Sequence, residues 1–234
     1  MNMKKLIRNK WFLAGSLGFL FLLLTVFILL GWTARVDEGV IRSVYKWRGG
    51  HSSPKGGFYW INRILTEAGY VYVLVPASIL ALVLCKGDLK SIFLSFGTLA
   101  VWGINQAVKG IIGRERPDLI YHMMQEGSPS YPSGHAMSSC FFYFFLAHIL
   151  WQRRGGRFIK TLSILSACMP IVIGFTRVCL SVHYPTDVLG GLFLGASFFL
   201  LALPIFERLR EKGFDGIKAL IEKKKRKKQE DKEE

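Results

Sequence analysis

The chain has 234 residues, of which 51% are hydrophobic and 14% aromatic, with a mean hydropathy of +0.31 and a formal net charge of +15. That apolarity excludes an ordinary soluble domain. The charge excludes a nucleic-acid groove by its placement, in short clusters between apolar runs and in a tail carrying Lys223, Lys224, Lys225, Arg226, Lys227 and Lys228.

The basic start Lys4, Lys5, Arg8 and Lys10 precedes an apolar run over 11–32, 22 residues long and able to span a bilayer. It exceeds the core of a signal peptide and lacks a small-residue cleavage site, so it reads as an uncleaved anchor. Residues 33–67 mix Tyr45, Trp47, Phe58, Tyr59 and Trp60 with scattered charge. They suit short helices lying in the membrane interface, and equally a plain connecting loop.

Five further apolar runs follow at about 68–85, 91–108, 134–152, 161–176 and 188–206. Their periodicity alone does not separate helix from strand, but a bilayer forces the choice to helix. The short connections 86–90 and 152–160 make their flanking helices antiparallel neighbours. The predicted fold is therefore all-α, an integral membrane bundle of six transmembrane helices over 1–206 with a basic tail over 207–234 that begins as a helix. The tail suits attachment to anionic headgroups, and equally a solubilising end that fixes topology. With both termini in the cytoplasm, inner segments hold 21 Lys and Arg and outer segments 10, the sense of the positive-inside rule. Cys85, Cys140, Cys168 and Cys179 fall in or beside apolar runs without a CxxC pair, and read as small buried hydrophobes.

Ionisable groups beside membrane spans are costly, so each cluster there is a functional candidate. Three lie on the predicted outer side. Lys109 and Arg116 are seven residues apart, two turns, and share a face if the helix continues to Pro117. Two cations on one face suit a phosphate, and also describe a basic cap at a helix end. Tyr131-Pro132-Ser133-Gly134-His135 opens the fourth run. Ser133 suits an N-cap, Gly134 admits a ligand close to the backbone, and His135 stands where it can donate a proton, although a capped helix with an incidental histidine reads equally well. Arg177-x5-His183-x3-Asp187 lies between the last two runs. Pro185 suits a first helical turn, so the Asp187 carboxylate reaches His183 at i, i+4 and keeps one ring nitrogen protonated, leaving the other nucleophilic. A merely structural His–Asp pair has the same spacing. Together, three cations, an anion-binding helix start, a proton donor and a carboxylate-backed histidine describe a site for a tetrahedral oxyanion.

The three stretches resemble the signature of the type 2 phosphatidic acid phosphatases, a pattern shared with vanadium haloperoxidases and glucose-6-phosphatase: K-x6-RP, PSGH and SR-x5-H-x3-D. Here they read Lys109-x6-Arg116-Pro117, Pro132-Ser133-Gly134-His135 and Thr176-Arg177-x5-His183-x3-Asp187, with Thr176 where the family usually has serine. The resemblance implies a membrane lipid phosphatase in which His183 attacks phosphorus to form a phosphohistidine, Asp187 orients it, and His135 protonates the leaving oxygen. Lys109, Arg116, Ser133, Gly134 and Arg177 would hold the phosphate oxygens. No cofactor or metal is expected, and the partners expected are lipid phosphate and membrane lipids. The site is expected on the extracytoplasmic face of a multi-pass cell-membrane protein. Polyprenyl diphosphate, phosphatidylglycerol phosphate, phosphatidic acid and a lipid A phosphate all fit as substrate. The alternatives are a phosphotransferase passing the same phosphohistidine phosphate to an acceptor hydroxyl, and a lipid binder without turnover. His51, His122 and His148 match no motif, and His148 reads as a packing residue.

Overall fold

The computed structural model describes residues 3–50, 56–153, 155–211, 213 and 216. All regular structure among them is helical: α1 (Met3–Leu29), α2 (Ala34–Trp47), α3 (Gly56–Glu67), α4 (Val71–Leu84), α5 (Leu89–Ile112), α6 (Gly134–Gln152), α7 (Arg157–Cys179) and α8 (Pro185–Glu211), with one 3₁₀ turn at Leu119–Tyr121. His51 and the basic stretch 223–234 lie outside the described residues. Helix α8 continues through the expected domain boundary at 206.

By length and apolar composition α1, α5, α7 and α8 can cross a membrane, and α3 with α4, bent by 41° at their break, can form a fifth, broken span. Phe12, Leu22, Leu84, Ile111, Phe158 and Phe175 are all more than half exposed, an apolar exterior that water would penalise and acyl chains would not. The chain is a multi-pass membrane protein. Helix α6, expected as one of six spans, is not among these. It is the central helix, packed on α5, α7 and α8, and its Ser138 and Ser139 are shielded by protein. The segment 33–67 is largely helical, as the reading of short helices expects, with α3 packed on α7.

Phe142, Phe145 and Ile149 of α6 form the main core with Leu74, Leu89, Leu94, Leu203 and Phe206. His148 packs its ring on Phe206 and bonds Gln152 at 2.7 Å, a satisfied packing residue. Helices α6 and α8 meet through glycines, a close-packing device common between membrane helices. A Cβ on Gly191 would stand 2.6 Å from the Ser133 carbonyl, and one on Gly195 2.5 Å from that of Met137. Of the four cysteines, Cys140 and Cys179 are buried, but Cys85 and Cys168 are exposed, correcting the expectation of four buried thiols. Cys85 caps the end of α4, and Cys168 lies exposed on α7.

Helix α1 runs antiparallel to α8. Lys10 pairs with Glu207 at 2.7 Å at one end, Ser197 donates to the Ala14 carbonyl at 2.9 Å in the middle, and Thr25 bonds the Tyr131 hydroxyl at 2.9 Å near the other end. The Lys10–Glu207 pair and the Tyr131–His135 stretch thus lie at opposite ends of a helix that rises about 22 Å between residues 10 and 25.

Candidate active site

Three segments distant in sequence converge at that second end. Helix α5 stops at Ile112, where Gly113 takes a left-handed conformation (φ 61°) and its N–H returns to the Lys109 carbonyl at 2.9 Å. The helix therefore does not continue to Arg116, as a shared face would require. The loop after Gly113 brings Arg116 back instead, and both cations reach Ser128: Lys109 bonds its hydroxyl at 3.1 Å, and Arg116 donates to its carbonyl at 2.7 Å.

Lys109, Arg116, Gly134, His135 and His183 line one cavity of about 110 Å³, with Glu126, Ser128, Asn105 and Tyr70 also in its wall. The two motif histidines thus face a common space. Arg116 approaches Nε2 of His183 at 3.4 Å and donates to the Val182 carbonyl at 2.6 Å. On the other side of the ring, Nδ1 stands 3.4 Å from Oδ2 of Asp187 and 3.3 Å from Ser130 Oγ. A proton on Nδ1 satisfies that side and leaves the Nε2 lone pair towards the cation-lined space. His183 is almost fully buried. Burial first, then Arg116, Arg177 and Lys109, push its imidazole well below the ordinary value of 6.5, so it is neutral at pH 7.

Helix α6 begins at Gly134 with Ser133 in the N-cap position. The first N–H groups of a helix lack intrahelical partners and favour an anion; Gly134 lines the cavity there, and a Cβ on it would press on Asn105 Oδ1 at 2.9 Å. The Ser133 hydroxyl makes no capping bond, contrary to expectation. It is buried without a hydrogen-bond partner among the described residues, and the Ser133 N–H donates to the Asp187 carbonyl at 3.0 Å. His135 rests edge-on against Tyr70, ring centroids 4.1 Å apart, and its Nε2 has no hydrogen-bond partner among the described residues.

Three predicted residues stand behind the cavity wall. Ser133 is fully buried. Arg177 donates to Thr66 at 3.1 Å and pairs with Glu126, and Asp187 lies behind His183. Thr176 turns its hydroxyl onto its own helix, 2.6 Å from the Ile173 carbonyl.

The site also contains residues the sequence reading did not single out. Arg114 holds the second oxygen of Asp187 at 2.5 Å and Asp37 of α2 at 2.7 Å, while Thr186 donates to the same Asp37 oxygen at 2.6 Å. Burial opposes the Arg114 charge, yet Asp187 and Asp37 raise its pKa above the ordinary guanidinium value. Arg114 lies inside the Lys109–Pro117 stretch, where a third cation was visible. Asp37, 150 residues before Asp187, carried no signal. Glu126 pairs with Arg177 and stands 3.7 Å from Arg116. Burial alone would raise its pKa, but Arg177 and then Arg116 carry it below the usual carboxylate range, so it is ionised.

The chain as a whole is similar to known proteins. The model of the PAP2 superfamily matches residues 90–211. Phosphatidylglycerophosphatase B of Bacillus subtilis (strain 168) is 30% identical over 163 residues, covering 64% of this chain and 78% of that protein. A lipid A 1-phosphatase of Rhizobium johnstonii is 37% identical over 110 residues, 43% of this chain and 41% of that protein, so the chain matches less than half of that relative. The crystal structure of a transmembrane PAP2-type phosphatidylglycerolphosphate phosphatase from Bacillus subtilis superimposes with a TM-score of 0.72 at 25% identity, over 84% of this chain and 96% of that one.

Proposed function

Since the chain belongs to the PAP2 superfamily, we propose that it is a membrane lipid phosphatase that hydrolyses lipid phosphates or diphosphates through a phosphohistidine at His183. The observation that carries this reading is the shared cavity of His135 and His183, with Lys109 and Arg116 in its wall and Asp187 behind the attacking ring.

In the first step the Nε2 lone pair attacks phosphorus, the P–O bond to the lipid breaks, and His135 gives its proton to the leaving oxygen. In the second, water attacks the phosphohistidine, His135 takes the water proton, the P–N bond breaks and phosphate leaves. Lys109, Arg116 and the first N–H groups of α6 neutralise the charge shifting onto the phosphate oxygens, with Arg177 supporting from behind. Fixed cations supply the positive charge, so turnover is metal-independent in this reading.

The site faces the extracytoplasmic side. It lies at the far end of α1 from Lys10, and the excess of Lys and Arg puts the Lys10 end inside. The six spans are α1, α3 with α4, α5, α6, α7 and α8. Residues 1–206 make the catalytic bundle and 207–234 a basic cytoplasmic tail. A site at the bilayer surface, open between helices, favours substrates whose tails remain in lipid. The relative matched over most of its length acts, by its name, on phosphatidylglycerophosphate, which makes that lipid the first candidate, with polyprenyl diphosphates and phosphatidic acid next.

The test is purified full chain with each lipid in the presence of chelator. Free phosphate and an acid-labile phosphoprotein that disappears in His183→Ala are expected. Phosphate appearing only on an added alcohol would mean a phosphotransferase, and a folded His183→Ala with near-normal turnover would remove the covalent step.

A further inference from the structure

Glu126 holds the arginines that a substrate needs. One carboxylate oxygen accepts from Arg177 and, at 3.2 Å, from the Tyr70 hydroxyl; the other stands 3.7 Å from Arg116. Glu126 lines the same cavity as His135 and His183, and its side chain is 15% exposed. A carboxylate and a phosphodiester each bring one negative charge and two free oxygens. A phosphate monoester, or the terminal phosphate of a diphosphate, brings up to two charges and three oxygens.

We propose that Glu126 is a specificity-determining residue: a tethered anion that singly charged phosphodiester headgroups fail to displace from Arg116 and Arg177, and that phosphate monoesters and diphosphates displace. This rests on reading the site as that of a lipid phosphatase. The cations in the cavity wall, Lys109 and Arg116, with Arg177 behind them, would otherwise be occupied by the phosphodiester lipids that form the bulk of a membrane. Exchanging Glu126 for a phosphodiester replaces one charge by another and forfeits the Tyr70 bond, while tethering gives the carboxylate an effective concentration that a free headgroup must exceed. A monoester gains a second charge near Lys109, Arg116 and Arg177, in surroundings dry enough for that charge to count.

The experiment uses the full chain in mixed micelles, with phosphatidic acid as substrate and phosphatidylglycerol as phosphodiester competitor. Wild type should turn over with weak competition. In Glu126→Gln the Ki for phosphatidylglycerol should fall about tenfold while KM for phosphatidic acid falls only about two- to threefold. An unchanged ratio of Ki to KM overturns the proposal, including when the unfolding temperature drops, since a merely structural ion pair would move stability alone. Should Glu126→Gln fail to fold, Glu126→Asp keeps the charge but draws it back from Arg116. The same change at smaller size is then expected, and an unchanged ratio is again fatal. If wild type releases no phosphate from any lipid monoester, the functional reading itself falls and takes the proposal with it.

Discussion

Nδ1 of His183 and Oδ2 of Asp187 stand 3.4 Å apart, and the same carboxylate oxygen accepts from the Ser130 hydroxyl and, at 2.8 Å, from the Tyr184 N–H. The other oxygen belongs to Arg114, which Asp37 holds in turn. A carboxylate fixed from so many directions imposes one tautomer and one orientation on the ring it faces, and its charge offsets the cation that forms when His183 carries a phosphoryl group. Asp187→Asn keeps the shape but turns one acceptor into a donor. Its kcat for lipid phosphate should fall on the order of 10³–10⁴-fold with little change in KM. Phosphate release against substrate concentration measures both, and an unaltered kcat would mean that the ring needs no charged partner.

The pH dependence follows from the surroundings of His183. Burial, then Arg116, Arg177 and Lys109, hold its imidazole well below 6.5. The free enzyme keeps a neutral nucleophile until well below that value, so the acid limb of kcat/KM should lie below pH 6.5. Arg116→Gln removes the foremost cation and should move that limb to higher pH; a limb that stays fixed would assign it to another group. Stability carries the same sign. Below pH 6.5 the unfolded chain takes up a proton that folded His183 refuses, so this residue contributes stability above pH 6.5 that is lost as pH falls towards the lower folded value.

How much of this was legible in the sequence depends on the distance over which each relation acts. The His183–Asp187 pair is local, and i, i+4 spacing with Pro185 at the start of α8 was enough to find it. The Lys109–Arg116 pair was found for a reason only partly right: the helix ends at Gly113, and a loop held through Ser128 brings the arginine back. Asp37 and Glu126 were invisible because nothing near them in the chain marks them. Their partners Arg114 and Arg177 lie 77 and 51 residues away and meet them only after α2 and the 113–133 loop fold over the bundle end. The apolar run over 134–152 marked α6 along the chain, but not its central place between α5, α7 and α8, which only the packed bundle shows.

His135 offers a test that depends on the leaving group. Its Nε2 has no partner among the described residues and its ring lines the cavity, as a group awaiting a substrate oxygen would. A lipid alkoxide leaves poorly and needs a proton; an aryl oxide leaves without much help. His135→Ala should slow phosphatidic acid hydrolysis roughly 10²–10⁴-fold and an activated aryl phosphate far less. Burst kinetics with both substrates separate formation of the phosphoenzyme from its breakdown. Equal slowing of the first step for both would argue that His135 does not donate the proton.

Gly191 tests whether the seam between α6 and α8 sets the catalytic geometry. It stands one turn beyond Asp187, and a Cβ there would come within 2.6 Å of the Ser133 carbonyl, 3.0 Å of Ala136 Cβ and 3.2 Å of the Met137 nitrogen. Backbone atoms of α6 do not yield as a side-chain tip does, so Gly191→Ala must push the two helices apart. The bond from the Ser133 N–H to the Asp187 carbonyl, 3.0 Å long, spans that seam and ties the start of α6 to the start of α8. Separation therefore moves His135 relative to Asp187 and His183. Overpacking of this kind costs about 1–3 kcal/mol, and kcat should fall at temperatures where the variant is still fully folded. Gly103→Ala in α5 is the control. Among the described residues nothing beyond its own stretch of helix lies within 4 Å of its added methyl, and the exchange should leave kcat unchanged while gaining a few tenths to about 1 kcal/mol of helix stability. Thermal unfolding in detergent beside phosphate release separates the two effects. Full activity in Gly191→Ala would show that the seam can widen without disturbing the histidines, and that their alignment is set within the loops.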